Sequence, residues 1–201
     1  MSLTSRCTLA AVVLAVPVLA QVARPDLSDR TAGHLLFAAS QLVGWALVAW
    51  VVRDAPAAAR AASPRGRAVV LAGCGLQVAF AAAYGATALD GEPAESSFVL
   101  FLLGFLALLV GGLLWAARLR RVPQARTAAA GLAGVAVLGG LAVLVGTDPF
   151  HDIFLVASYA AWALVGRGLT SLGDPSTVGS DTVGAAVPVG GQDRRGGPAR
   201  H

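Results

Sequence analysis

The chain of 201 residues is 56% hydrophobic and 13% charged, with a mean hydropathy of +0.71, against roughly 25% charged residues in an ordinary soluble domain. That composition excludes a soluble globular fold. The formal charge of +4 and pI near 10.0 would suit nucleic acid, but every basic residue is arginine, most stand between apolar blocks, and no basic face interleaved with exposed aromatics is visible, so nucleic acid is not expected as a partner.

Runs of about 17–25 apolar residues mark bilayer spans, and the chain holds them near Cys7–Ala23, Leu35–Val52, Ala68–Leu89, Phe98–Ala117, Thr127–Val145 and Phe150–Val165. Such blocks are apolar all round and must close their backbone hydrogen bonds internally, which makes them helices. The first also fits a secretory signal, with Arg6, the run Leu9–Leu19 and small residues around Ala20. Its continuation to Val22 and the nearness of the next block favour a retained span, kinked at Pro17. Leu71-Ala-Gly-Cys74 resembles a lipoprotein box but lies mid-chain inside the third block, where an Ala/Gly/Leu-rich helix explains it. Cys7 and Cys74 form neither a disulfide framework nor a CxxC motif. The last block extends toward Leu172 if Arg167 snorkels to the headgroups.

From Ser171 to His201 the chain turns to Gly, Ser, Thr, Pro and scattered charge with no apolar period, which predicts a disordered cytoplasmic tail. The expected organisation is a transmembrane domain over 1–170 and this tail over 171–201.

Arginines alternate between connections. Arg53, Arg60, Arg65 and Arg67 follow the second block, Arg118, Arg120, Arg121 and Arg126 the fourth, and Arg167 the sixth. The other connections are acidic or balanced: Arg24 and Arg30 stand with Asp26 and Asp29, while Asp90 to Glu95 and Gly146 to Asp152 have no arginine. By the positive-inside rule both termini are cytoplasmic. Trp50 and Trp115 each precede an arginine by three residues, as interfacial rings before a cytoplasmic stop. The fold class expected is all-α: a polytopic integral membrane bundle of six transmembrane helices in the inner (cytoplasmic) membrane of a bacterial-type cell.

Small residues at helix-interface spacing are densest in the fifth block, at Ala130, Gly134, Ala136, Gly140, Ala142 and Gly146, with Gly104, Gly111 and Gly112 in the fourth. They allow close helix approach, read as packing within the bundle ahead of a homo-oligomer face. Polar residues at membrane depth are Ser40, Gln41, Gln77, Tyr84, Ser158 and Tyr159. Without a buried carboxylate or arginine beside them they read as interhelical hydrogen-bonding groups, and an ion-coupled pump is not expected.

Two distant stretches match: His34-Leu-Leu-Phe37, seven residues, Trp45-Ala-Leu-Val48, and His151-Asp-Ile-Phe154, seven residues, Trp162-Ala-Leu-Val165. Eleven residues at about 100° each come to roughly 1100°, some 20° past three turns, so His and Trp share a helix face. Both helices run inward, with histidines at the outer boundary and tryptophans toward the inner half. His34 and His151, with Asp148 and Asp152 beside the latter, are the titratable groups nearest the membrane. Imidazole and carboxylate together can hold a divalent metal or relay a proton, which makes His34, His151 and Asp152 the candidate metal ligands, against plain capping of the helix starts. No cofactor is implied, and no GxSxG, HExxH or phosphate-binding glycine loop is present. The function expected is non-catalytic: a solute-handling, sensing or assembly subunit partnered by the lipid bilayer, itself or other membrane subunits. The alternative is a membrane enzyme or redox or metal-binding component using the His/Asp site at its outer face.

Overall fold

A computed structural model describes residues 1–27, 30–90, 97–146 and 150–173. Among them run seven α-helices: α1 (Leu3–Ala23), α2 (Thr31–Arg53), α3 (Ala57–Ala62), α4 (Pro64–Leu89), α5 (Ser97–Leu119), α6 (Arg126–Val145) and α7 (Phe150–Gly173). Short 3-10 turns at Pro25–Leu27 and Pro123–Ala125 complete the connections. Local chemistry sets several of the boundaries. The Ser2 and Ser63 hydroxyls accept from the amides of Ser5 and Gly66, and Pro64 at the first position of α4 has no amide to leave unpaired. Gly146, at φ 58°, ends α6 in the left-handed conformation that glycine adopts without a Cβ clash.

Every helix but α3 is long and apolar enough to cross a bilayer, six in all, and each contains one of the apolar blocks. Leucines and valines cover the outside, with Leu103, Leu106 and Leu144 all exposed. By length and composition this is a multi-pass membrane protein.

The six long helices close into a ring in the order α1, α2, α4, α5, α6, α7 and back to α1. The start of α1 meets the ends of its two neighbours, through Arg6 on Asp54 at 2.9 Å and Thr4 Oγ1 on Thr170 Oγ1 at 2.9 Å. Neighbours therefore run antiparallel, and alternate connections gather at opposite ends of the bundle. One end carries Arg53 to Arg67 and Arg118 to Arg126, and the other carries Asp26, Asp90 and Asp152.

Within this ring α1 is a wall. Cys7, Ala10 and Leu14 are fully buried, and a Cβ added at Gly166 would meet the Cys7 side chain. A close seam joins α4 to α5 through two facing glycine pairs. A Cβ at Gly111 would lie 2.7 Å from Val70 N and 3.0 Å from Gly66 O, and one at Gly73 would lie 2.9 Å from Leu108 N and 3.0 Å from Gly104 O.

Three sequence expectations need correction. Helix α7 runs on through Arg167 to Gly173, so the expected boundary at 170/171 falls inside a helix. Residues 174–201 of the expected tail lie outside the described residues. Trp115 is fully buried, with Nε1 donating to Ala59 O at 2.9 Å. It is a core residue that anchors α3, an alanine-rich turn not anticipated, whereas Trp50 is 44% exposed. The stripe read along α6 is only half used. Ala136 and Ala142 are buried with Gly131 and Gly139, while Ala130 faces outward.

Candidate functional site

The antiparallel pairing of α2 with α4 sets His34, in the first turn of α2, beside Tyr84 near the end of α4. Nδ1 of His34 lies 2.7 Å from the Tyr84 hydroxyl, and the rings meet edge-on at 5.8 Å. His151 does something different. Its Nδ1 lies 2.9 Å from the carbonyl oxygen of Ala142, in the last turn of α6. A carbonyl only accepts, so the Nδ1 proton is fixed and Nε2 is the free lone pair of the neutral ring. The histidine is thus a second donor to a carbonyl that already accepts the capping Gly146 amide at 3.2 Å, and it ties the start of α7 to the end of α6.

Asp152 stands in the first turn of α7, where the helix dipole favours a carboxylate. Asp148 lies outside the described residues. The two histidines are held by different helices, and among the described residues no group of three or more His, Cys, Asp or Glu side chains is arranged to hold a metal ion.

The matched stretches do converge lower down. Trp45 meets Trp162 edge-on, with ring centroids 6.4 Å apart at 86°, and meets Tyr159 at the same separation and 74°. Trp45 Nε1 donates to Gln41 Oε1 one turn earlier at 2.8 Å, and Gln41 Nε2 reaches the Tyr159 hydroxyl at 3.4 Å. The shared face of these two helices therefore builds an aromatic and amide cluster across the ring.

Above that cluster the ring leaves a cavity with about 30 Å³ open to water-sized molecules, lined by Gln41, Gln77, His151, Ser158 and Tyr159 among apolar neighbours. One water needs about 10–15 Å³ of such space, so the cavity holds two or three at most. Gln77 is 1% exposed. Its Nε2 donates to Phe101 O at 3.1 Å, while its buried Oε1 has no hydrogen-bond partner among the described residues. A buried amide oxygen left this way wants a donor.

Toward the acidic end a second, open space of about 410 Å³ is walled by Phe37, Phe80, Tyr84, Phe98, Phe101 and His151. Its aromatic wall is continuous, with Phe80 on Tyr84 at 5.6 Å and Phe80 on Phe101 at 5.3 Å. Cleft and cavity share three lining residues, Phe101, Val143 and His151. Cleft and cavity therefore adjoin, with His151 lining both and His34 bonded to the Tyr84 wall of the cleft.

Sequence reading named each of these polar residues but not their meeting. Depth in the membrane follows from position along a helix, whereas facing inward together depends on the ring. No protein-family model, curated protein or solved structure matches the chain.

Proposed function

We propose that this protein is a non-catalytic solute-handling subunit of a cytoplasmic membrane, with its arginine end inside. Its open aromatic cleft takes a small, mostly apolar molecule from the outer face, with a hydrogen-bond donor on that molecule directed into the water-sized cavity beside it. The observation that carries this reading is the unpartnered Gln77 Oε1 in a cavity whose lining runs into an aromatic cleft at the acidic end. Aromatic walls favour a planar or aromatic solute, and a donor on it would satisfy Gln77 Oε1 or His151 Nε2. The arginine asymmetry supports the orientation. Among the described residues the cavity lining contains no carboxylate or arginine, which argues for a neutral solute over a driven ion.

The test is titration of the protein in lipid nanodiscs with 4-nitrophenol, at a pH where the phenol is neutral, with nitrobenzene as the hydroxyl-free control. Tryptophan quenching is the readout, because Trp45 borders the cavity. Saturable quenching by the phenol is expected, weakened about tenfold in Gln77→Leu, the loss of one hydrogen bond of about 1–1.5 kcal/mol. Equal quenching by both compounds, or no effect of the substitution, would refute the reading.

A further inference from the structure

The seam between α5 and α6 opens near the arginine end into a groove of about 400 Å³ on the outside of the ring. Its floor is Ala116, Ala117, Ala129 and Ala133, and Arg120 and Arg126 stand at its head. Small side chains on both helices leave a trough where leucines elsewhere cover the surface. Both arginines are exposed, and among the described residues neither has an ion-pair partner, in contrast to Arg6 and Arg53, which share Asp54. Asp54 is the one described carboxylate at this end of the bundle, and it is already engaged.

Two unpaired guanidiniums on either side of one tight turn repel each other unless an anion lies between them, and the planar fork of arginine matches phosphate oxygens two at a time. An alanine trough running from that point along the membrane-facing side is the complement of an acyl chain. A free phosphate would leave the trough unused. We infer that this groove binds an anionic phospholipid, its phosphate between Arg120 and Arg126 and one chain along the alanine floor. The inference rests on the membrane reading of the fold and is independent of the cavity.

The experiment is native mass spectrometry of the full-length protein incubated with equimolar dioleoyl phosphatidylglycerol and dioleoyl phosphatidylcholine. One phosphatidylglycerol per chain is expected to survive detergent removal in preference to the zwitterionic lipid. Arg120→Gln with Arg126→Gln should reduce that adduct about tenfold or more, as expected for hydrogen bonds to a charged group, while Arg60→Gln with Arg65→Gln leaves it unchanged. Ala130, exposed in the same groove, supplies a second arm. Ala130→Leu keeps both charges and the fold, and should also lower retention by filling the trough. Equal loss from both arginine pairs would mean general surface attraction and overturn the site. So would full retention in Ala130→Leu with displacement by inorganic phosphate, which would mean a headgroup contact only.

Discussion

Trp115 is fully buried, and the hydrogen bond from its indole to Ala59 O ties α3 to the end of α5. Trp115→Phe would keep much of the ring and leave the Ala59 carbonyl without its donor, at about 1–3 kcal/mol for a buried unsatisfied group. The expected outcome is a lower melting temperature and faster trypsin cleavage after Arg60 and Arg65. Unchanged cleavage would show that α3 is held by other contacts. At the same end Asp54 accepts from Arg6 Nη1 at 2.9 Å and lies 3.5 Å from Arg53 Nε, while the Arg6 guanidinium sits 4.0 Å over the Trp50 ring. Burial pushes the Asp54 carboxyl up, but hydrogen bonds from Arg6 and Arg53, the Arg53 charge and Trp50 together hold it below its usual range. A carboxyl lowered by folding stabilises fully above its unfolded value of about 3.9, and that contribution disappears as pH falls through the lowered value. The melting temperature of the wild type in detergent should therefore fall more steeply below about pH 4 than that of Asp54→Asn. The difference should be small and salt-sensitive, as for any exposed pair.

Helix α4 presents two kinds of glycine to the elements around it. Gly66 and Gly73 lie against α5, where added Cβ atoms would run into backbone, while a Cβ at Gly75 meets nothing within 4 Å. Backbone cannot yield as a flexible side chain does, so Gly111→Ala, on the facing helix, must part α4 from α5. A loss of about 1–3 kcal/mol is expected from such overpacking. Gly75→Ala should be neutral or stabilise by about 0.5–1 kcal/mol through helix propensity. Reversible unfolding in mixed micelles followed by circular dichroism separates the two, and equal effects would dissolve the glycine seam as an explanation.

The existence of each long helix was legible because lipid demands unbroken apolar blocks, and their positions agreed to within a turn or so at most ends. The pairing of Gly66 with Gly111 was not legible, because glycine and alanine are so frequent here that small-residue spacing alone selects no partner. The extension of α7 was half legible. Arg167 alone did not end the helix, and past it Thr170 and Ser171 turn their hydroxyls back onto the carbonyls of Gly166 and Gly168, which makes them compatible with a last helical turn.

At the scale of the whole molecule the closed ring is what turns scattered polar residues into a site. Gln41 on α2, Gln77 on α4, and Ser158 and Tyr159 on α7 were each visible in the sequence as polar groups at membrane depth. Their common cavity was not, since nothing in one dimension gives the angle at which a helix faces its neighbours. The same ring draws Trp45 and Trp162 together while engaging His34 and His151 with different helices, so the matched stretches serve the interior more than the outer boundary. In the proposed pathway the interior is reached from the acidic end.

Silver-ion access to a cysteine at position 158 tests that most directly. Ser158→Cys is made in a Cys7→Ala/Cys74→Ala background, Ag⁺ is added to either face of sealed vesicles of known orientation, and thiols left unprotected are counted with maleimide after unfolding. Protection from the outer face and none from the inner face is expected, with protection reduced when His151→Trp narrows the join between cleft and cavity. Protection only from the inner face, or from neither, would contradict an outward-opening solute pathway.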